Sequence, residues 1–206
     1  MRRHGNIAIA AVTAVSLCSG AWLLSNGAAS HAPPQPSAAE AHADPAAERP
    51  AAPALPPSPP DRVRIPAIRV NAPLTGLGLT RTGSLEVPPA DKPNLAGWYE
   101  AGTTPGERGT AIVAGHVDNA DGPAVFYGLG ALKRGDTIEI DRRDGSVAVF
   151  TVDAVEVYQA ADFPDEKVYG PARRPELRVI TCGGGYSRAT GYQGNVVVFA
   201  RLTGSR

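Results

Sequence analysis

Between about Asn26 and Pro60 the chain is built mainly from Ala and Pro, with Pro33-Pro34 and Pro57-Ser58-Pro59-Pro60 and almost no large apolar residue. No hydrophobic core can form from such a stretch, so it divides the 206 residues into a leader and one candidate domain. Pro-rich backbone favours an extended polyproline conformation of about 3 Å per residue, which gives a disordered stalk with a reach of roughly 100 Å. The expected organisation is therefore an N-terminal segment over 1–25, a stalk over 26–60 and a folded domain over 61–206.

Ahead of the stalk, Arg2, Arg3 and His4 precede a mostly apolar run from about Ile7 to Leu24. A basic flank followed by a membrane-competent segment is the pattern of export. Its length favours a single uncleaved membrane pass with the remainder of the chain outside the cell. The small residues Gly27-Ala28-Ala29-Ser30-His31-Ala32 also fit a signal peptidase, and cleavage there would give a secreted form. Lipidation at Cys18 is disfavoured by Leu17, which stands where a small residue is required.

The domain carries 17 basic and 17 acidic residues once the leader's charges are set aside. With no basic cluster beyond pairs such as Arg142-Arg143, and few aromatics to stack bases, nucleic acid is not an expected partner. Short strand-like runs alternate with Gly, Pro and Asp: Arg62–Ile65, Ile68–Val70, Leu74–Leu79, Ser84–Val87, Thr110–Val117, Thr137–Ile140, Ala148–Val157, Arg178–Thr181 and Asn195–Leu202. Val125, Phe126, Leu129 and Leu132 suit one or two helical turns within 123–134. The predicted architecture is a single, mainly β, mostly antiparallel barrel with short helices in its connections.

Two residues carry reactive chemistry. The chain has 2 cysteines, and Cys18 lies in the apolar segment, so Cys182 has no disulfide partner. It ends the run Leu177–Cys182 and leads into Gly183-Gly184-Gly185. A free cysteine is commonly a small buried hydrophobe, but a packed core strand is not expected to run on into residues without side chains. His116 is the domain's one histidine, at the end of Ala111-Ile112-Val113-Ala114-Gly115-His116. Alternation puts Ile112, Ala114 and His116 on one face of their strand, and Ile180 and Cys182 on one face of theirs. If the two strands are neighbours, thiol and imidazole meet as nucleophile and acid/base; a capping or surface histidine is the alternative. One histidine and one cysteine with scattered carboxylates indicate no metal site and no cofactor.

The ordered set Ile65-Pro66-Ala67-Ile68, Ala96-Gly97-Trp98-Tyr99, Pro105-Gly106-Glu107-Arg108-Gly109, Ala114-Gly115-His116-Val117-Asp118, Ile180-Thr181-Cys182-Gly183-Gly184 and Asn195-Val196-Val197-Val198-Phe199-Ala200 resembles the sortases of Gram-positive bacteria. Class F sortases of actinobacteria are the closer resemblance, class E the lesser. The resemblance implies an eight-stranded sortase-type barrel and a cysteine transpeptidase, able also to hydrolyse its acyl enzyme. Such an enzyme cleaves an LPxTG-like C-terminal sorting signal between Thr and Gly and passes the acyl group to a peptidoglycan precursor amine. Its partners would be secreted proteins bearing that signal, the amine acceptor, and the membrane through the N-terminal segment. Cys182 would be the nucleophile and His116 the general acid. The position at which many sortases carry a catalytic arginine falls on Asn195, and Arg188, in the loop after Cys182, is the expected substitute; Arg201 lies about 20 Å along the strand. Asp118, Asn119, Thr181, Gly183 and Asn195 are the expected supporting or substrate-binding residues. Two other classes stand beside this reading. A peptidoglycan L,D-transpeptidase would place a Ser-His-Gly-Cys type motif at its nucleophile, which Ile180-Thr181-Cys182-Gly183 does not match, and a non-catalytic wall-binding module would use His116 and Cys182 structurally.

Overall fold

Short runs of alternating apolar residues are stable when a sheet buries one face, and closing the sheet removes the exposed edges that would otherwise pair with another chain. A computed structural model of the chain describes residues 32–41, 51–187, 189 and 191–206. Within it Pro33–Arg206 form one compact unit. The expected anchor over 1–25 and Arg188 lie outside the described residues. Among the described residues no helix is long and apolar enough to cross a membrane.

The strands are β1 (Pro60–Ile65), β2 (Val70–Leu77), β3 (Ala96–Tyr99), β4 (Gly109–Gly115), the two-residue β5 (Asp118–Asn119) and β6 (Gly122–Pro123), β7 (Thr137–Arg142), β8 (Val147–Gln159), β9 (Pro175–Ser187) and β10 (Gly191–Ser205). Eight of them close a barrel in the order β1-β2-β3-β4-β9-β10-β8-β7, while β5 and β6 form a separate small ribbon. The pairs β2/β3 and β4/β9 are parallel and the other barrel pairs antiparallel. The expected eight-stranded, mainly β barrel is what the chain forms.

Val63, Ile65, Ala111, Val113, Ile138, Ile140, Phe150, Val152, Leu177, Val179, Val198 and Leu202 point inward at alternate positions and are all almost completely buried. Each buried aliphatic contributes about 1.5–3 kcal/mol of transfer free energy. Phe126, Leu129 and Leu132 join the same core. They lie on a segment whose only helical turn is Leu129–Ala131, so the expected helix shrinks to one 3-10 turn. The opposite face of the β4/β9/β10 sheet holds a smaller cluster, Ile112, Ile180 and Val197, with Val168 of the short helix α1 (Asp165–Tyr169) over it.

Several elements differ from the sequence reading. Pro66–Ile68 form a 3-10 turn, with Arg69 at φ 56°, and β2 starts only at Val70. Ser84–Val87 form no strand, only a single bridge between Leu79 and Leu85. The largest difference is that β9 runs through Gly183-Gly184-Gly185. Glycine is required there by close approach: a Cβ on Gly183 would stand 2.5 Å from Val196 Cγ2, and Gly184 has φ 76°.

The described parts of the Ala/Pro-rich stretch lie along the barrel, unlike the free stalk expected over 26–60. Polyproline backbone makes no internal hydrogen bonds and offers its groups to the barrel. Val155 N–H donates to the Glu40 carbonyl at 3.0 Å and Gly184 N–H to Gln35 Oε1 at 3.3 Å. Ala52 and Leu55 donate to the Leu202 and Gly106 carbonyls, each at 2.9 Å. The nearly buried Arg142 side chain donates to the Pro56 carbonyl.

Candidate active site

Cys182 stands on β9 directly opposite Asn195 of β10, with its surface open to solvent. On its other side the parallel β4/β9 ladder pairs Ala114 with Ile180. β4 ends at Gly115, so His116 is the first residue past the ladder, leaving it beside the stretch of β9 that leads to Cys182. Thr181 faces the other way and is 3% exposed. Its hydroxyl donates to the Gly115 carbonyl at 2.8 Å and so ties β9 to β4 beside both reactive residues. His116 is half-buried, with Nε2 2.7 Å from the Pro88 carbonyl. A carbonyl only accepts, so Nε2 carries the proton in that bond and Nδ1 of the neutral ring is the atom able to take one.

A cavity of about 1100 Å³ lies against Cys182. Ile112, Ala114 and Ile180 form its floor, the 79–87 turn with Leu79, Leu85 and Val87 one wall, and Tyr169 of α1 another. Leu79, Val87 and Tyr169 are 51%, 61% and 45% exposed, an unusual concentration of large apolar surface around one cleft. Thr181, Cys182 and Asn195 close one end and Arg108 lies near the other, donating Nε to the Arg173 carbonyl at 2.9 Å.

The other expected supporting residues divide. Asn195 lines the cavity and sends its amide toward the Thr181 carbonyl at 3.4 Å. Gly183 is buried against Val196 and contributes backbone only. Asn119 belongs to the β5–β6 turn, where it accepts from Asp121 N–H and donates to the Ala90 carbonyl, each at 2.9 Å. It therefore pins the 88–90 loop and does not line the cavity. Asp118 Oδ2 accepts the hydroxyl of Tyr192 at 2.5 Å. Among the described residues no group of three or more His, Cys, Asp or Glu could hold a metal ion.

Residues 63–203 match the family described as Sortase domain. The chain belongs to the sortase family. No curated protein sequence matches it significantly. Among solved structures it is similar to the SrtA sortase of Actinomyces oris, at 19% identity and a TM-score of 0.56 over 76% of this chain and 89% of that one. It is also similar to Listeria monocytogenes sortase A, at 16% identity and 0.53 over 72% and 90%, and to a lid mutant of Corynebacterium diphtheriae sortase A, at 21% identity and 0.53 over 70% of each. At these identities the structural likeness carries the sortase fold, and the domain match carries the family, one of cysteine transpeptidases.

The electrostatics around Cys182 do not favour its thiolate. The Cys182 thiol is pushed above its ordinary range by burial of the sulfur's protein-facing side and by the charge of Asp118. The arginines on the outer face of this sheet lie far along it. Arg178 precedes Cys182 by four residues and bonds Glu176 at 2.7 Å, and Arg201 pairs with Asp153. Among the described residues no guanidinium reaches the thiol, and the thiol starts protonated at neutral pH. Tyr192, which the sequence reading did not single out, is the other notable group. Burial and the Asp118 hydrogen bond push its phenol well above the usual range. Its signal in the sequence is slight: a tyrosine among glycines, six residues after Tyr186.

Proposed function

We propose that the protein is a sortase of the class F type that cleaves an LPxTG-like sorting signal between Thr and Gly and transfers the acyl group to a cell-wall precursor amine. What supports this reading is the parallel register of β4 and β9 with the Thr181–Gly115 hydrogen bond, which joins the strand that leads to His116 to the strand that carries Cys182 beside an apolar cleft. The apolar floor and rim suit the Leu and Pro side chains of such a signal, with an extended backbone running toward Cys182.

Cys182 Sγ attacks the threonine carbonyl carbon as its proton passes to Nδ1 of His116. The carbon–nitrogen bond breaks, His116 returns the proton to the leaving glycine amine, and a thioester remains. The oxyanion is held by Arg188 from the loop after β9, or shared between backbone N–H groups near Gly183 and the Asn195 amide. An acceptor amine then displaces sulfur; water gives hydrolysis. The segment over 1–25 anchors the enzyme in the cell membrane with the catalytic domain outside.

The test is incubation of the full chain in detergent micelles with an LPxTG peptide and a primary amine, read by mass spectrometry. Cleavage after threonine, a transient adduct on Cys182, and loss of both in Cys182→Ala support the reading. Absence of cleavage across several acceptors refutes it. Full turnover in Arg188→Ala removes that residue from the site.

A further inference from the structure

The acyl donor fills the cleft on one side of Cys182, so the acceptor must arrive from the other. There the β9–β10 hairpin carries Tyr186 and Tyr192, and the chain leaving β4 carries Asp118; none of the three lines the cavity. Asp118 Oδ2 is occupied by the Tyr192 hydroxyl at 2.5 Å, and Asp118 takes no other described partner, which leaves Oδ1 free. The rings of Tyr186 and Tyr192 stand 5.0 Å apart at 59°. Tyr186 is 64% exposed, so packing does not explain an aromatic residue at that position. A half-buried carboxylate held by a hydroxyl and flanked by ring faces has the chemistry of a primary ammonium receptor, with a charge-assisted hydrogen bond and cation–π contact from one small site.

We propose that Asp118, with Tyr186 and Tyr192 beside it, is the docking site for the protonated primary amine that accepts the acyl group from Cys182. This rests on the transfer reaction proposed above. The ammonium binds at Oδ1 and releases one proton to solvent at this open edge. Its nitrogen then forms a bond to the acyl carbon while the carbon–sulfur bond breaks. A second proton, from the attacking nitrogen, passes through His116 to the departing sulfur. The balance is one amide, the free thiol and one released proton. Tyr192 is a positioning residue: its hydroxyl fixes the carboxylate so that Oδ1 faces the approach to the thioester.

The experiment measures partitioning of the acyl enzyme between transfer and hydrolysis, a ratio that does not depend on how fast the thioester forms. The full chain is given an LPxTG peptide and increasing concentrations of either glycinamide, largely cationic near pH 7, or hydroxylamine, which is neutral there. Asp118→Asn is expected to raise the half-transfer concentration of glycinamide about tenfold and that of hydroxylamine less than about twofold, because only the first carries the charge that Asp118 reads. Asp118→Glu restores most of the difference. Tyr186→Ala, at an exposed position that folding does not need, raises the glycinamide value severalfold on its own. An equal shift for both nucleophiles, or none for either, in Asp118→Asn and Tyr186→Ala overturns the docking site. Peptide cleavage without any selective shift defeats this inference alone, whereas absence of cleavage in the wild type defeats the transfer reading with it.

Discussion

Thr181→Val isolates the contact that, in the proposed mechanism, aligns Cys182 with His116. Thr181 Oγ1 donates to the Gly115 carbonyl at 2.8 Å from a position 3% exposed; Cys182 follows Thr181 in β9, and His116 follows Gly115 where β4 ends. Valine keeps the shape and removes only the hydroxyl. A neutral buried hydrogen bond contributes about 1 kcal/mol, and a carbonyl left without its partner raises the loss toward about 2 kcal/mol. For a chain of this size that is a fall in melting temperature of about 3–6 °C. Relaxation of a few tenths of an ångström between β4 and β9 is expected to lower kcat/KM about tenfold, since a misplacement of about 1 Å can cost a hundredfold. Thr181→Ser supplies the control. It loses a buried methyl, at about 1 kcal/mol, but keeps the bond, so it should lose no more stability than the valine variant while retaining most turnover. The measurements are thermal unfolding and the cleavage rate of a sorting-signal peptide. Equal loss of turnover in both variants would refute the alignment argument, because packing alone would then account for it.

Three further outcomes follow from the same geometry. Alkylation of Cys182 by iodoacetamide should rise with pH only above the ordinary thiol range, and Asp118→Asn, by removing a charge that opposes the thiolate, should shift the profile to lower pH and speed labelling at pH 7 severalfold; an unchanged profile contradicts this. At Glu176, burial raises the carboxyl pKa but is outweighed by hydrogen bonds from Arg174 and Arg178, so the net shift is downward. The resulting stability is present above the unfolded value of about 4.3 and is lost as pH falls through the lower folded value. Glu176→Gln should therefore cost about 2 kcal/mol at pH 7 and flatten the acid side of a denaturation profile. Gly183→Ala places a Cβ 2.5 Å from Val196 Cγ2 and 3.2 Å from Val196 N, and should destabilise by about 1–3 kcal/mol with loss of turnover, measured by urea unfolding and peptide cleavage.

The barrel was legible because its code is local. Period-two alternation in runs such as Ala111–Gly115 and Leu177–Cys182 states which face is buried, whatever the strands pair with. Features created by pairing were not legible. Nothing local says that Gly183–Gly185 continue a strand, since the continuation comes from pairing with β10, whose Val196 leaves room only for glycine at 183, while Gly184 has φ 76°. The spacing of Val125, Phe126, Leu129 and Leu132 reads as helical, yet that segment plugs a barrel end that needs four apolar side chains and only one turn. The polyproline stretch looked free because its contacts are scattered over the barrel, as isolated hydrogen bonds and the packing of Ala52 and Leu55, with no sequence period.

At the site, the faces carrying Ile112 with Ala114 and Ile180 with Cys182 were readable from alternation, but the distribution of charge around them was not. That distribution depends on Asp118 meeting Tyr192 across 74 residues of chain and on which arginines the sheet carries away from the thiol. Arg178 and Arg201 sit on the outer face of the same sheet, yet they are committed to Glu176 and Asp153. Burial and the charge of Asp118 both raise the Cys182 pKa, so this environment disfavours a resting thiolate. A neutral thiol suits the proposed two-substrate reaction better. In that mechanism the thiol is activated only when His116 takes its proton in the act of attack, which would limit idle reaction with solvent electrophiles. In the proposed reaction the same carboxylate that suppresses the thiolate becomes favourable once sulfur is acylated and uncharged, since the next partner to approach is a cation. One negative charge would then work against premature reaction in the first half of the proposed cycle and toward amine capture in the second.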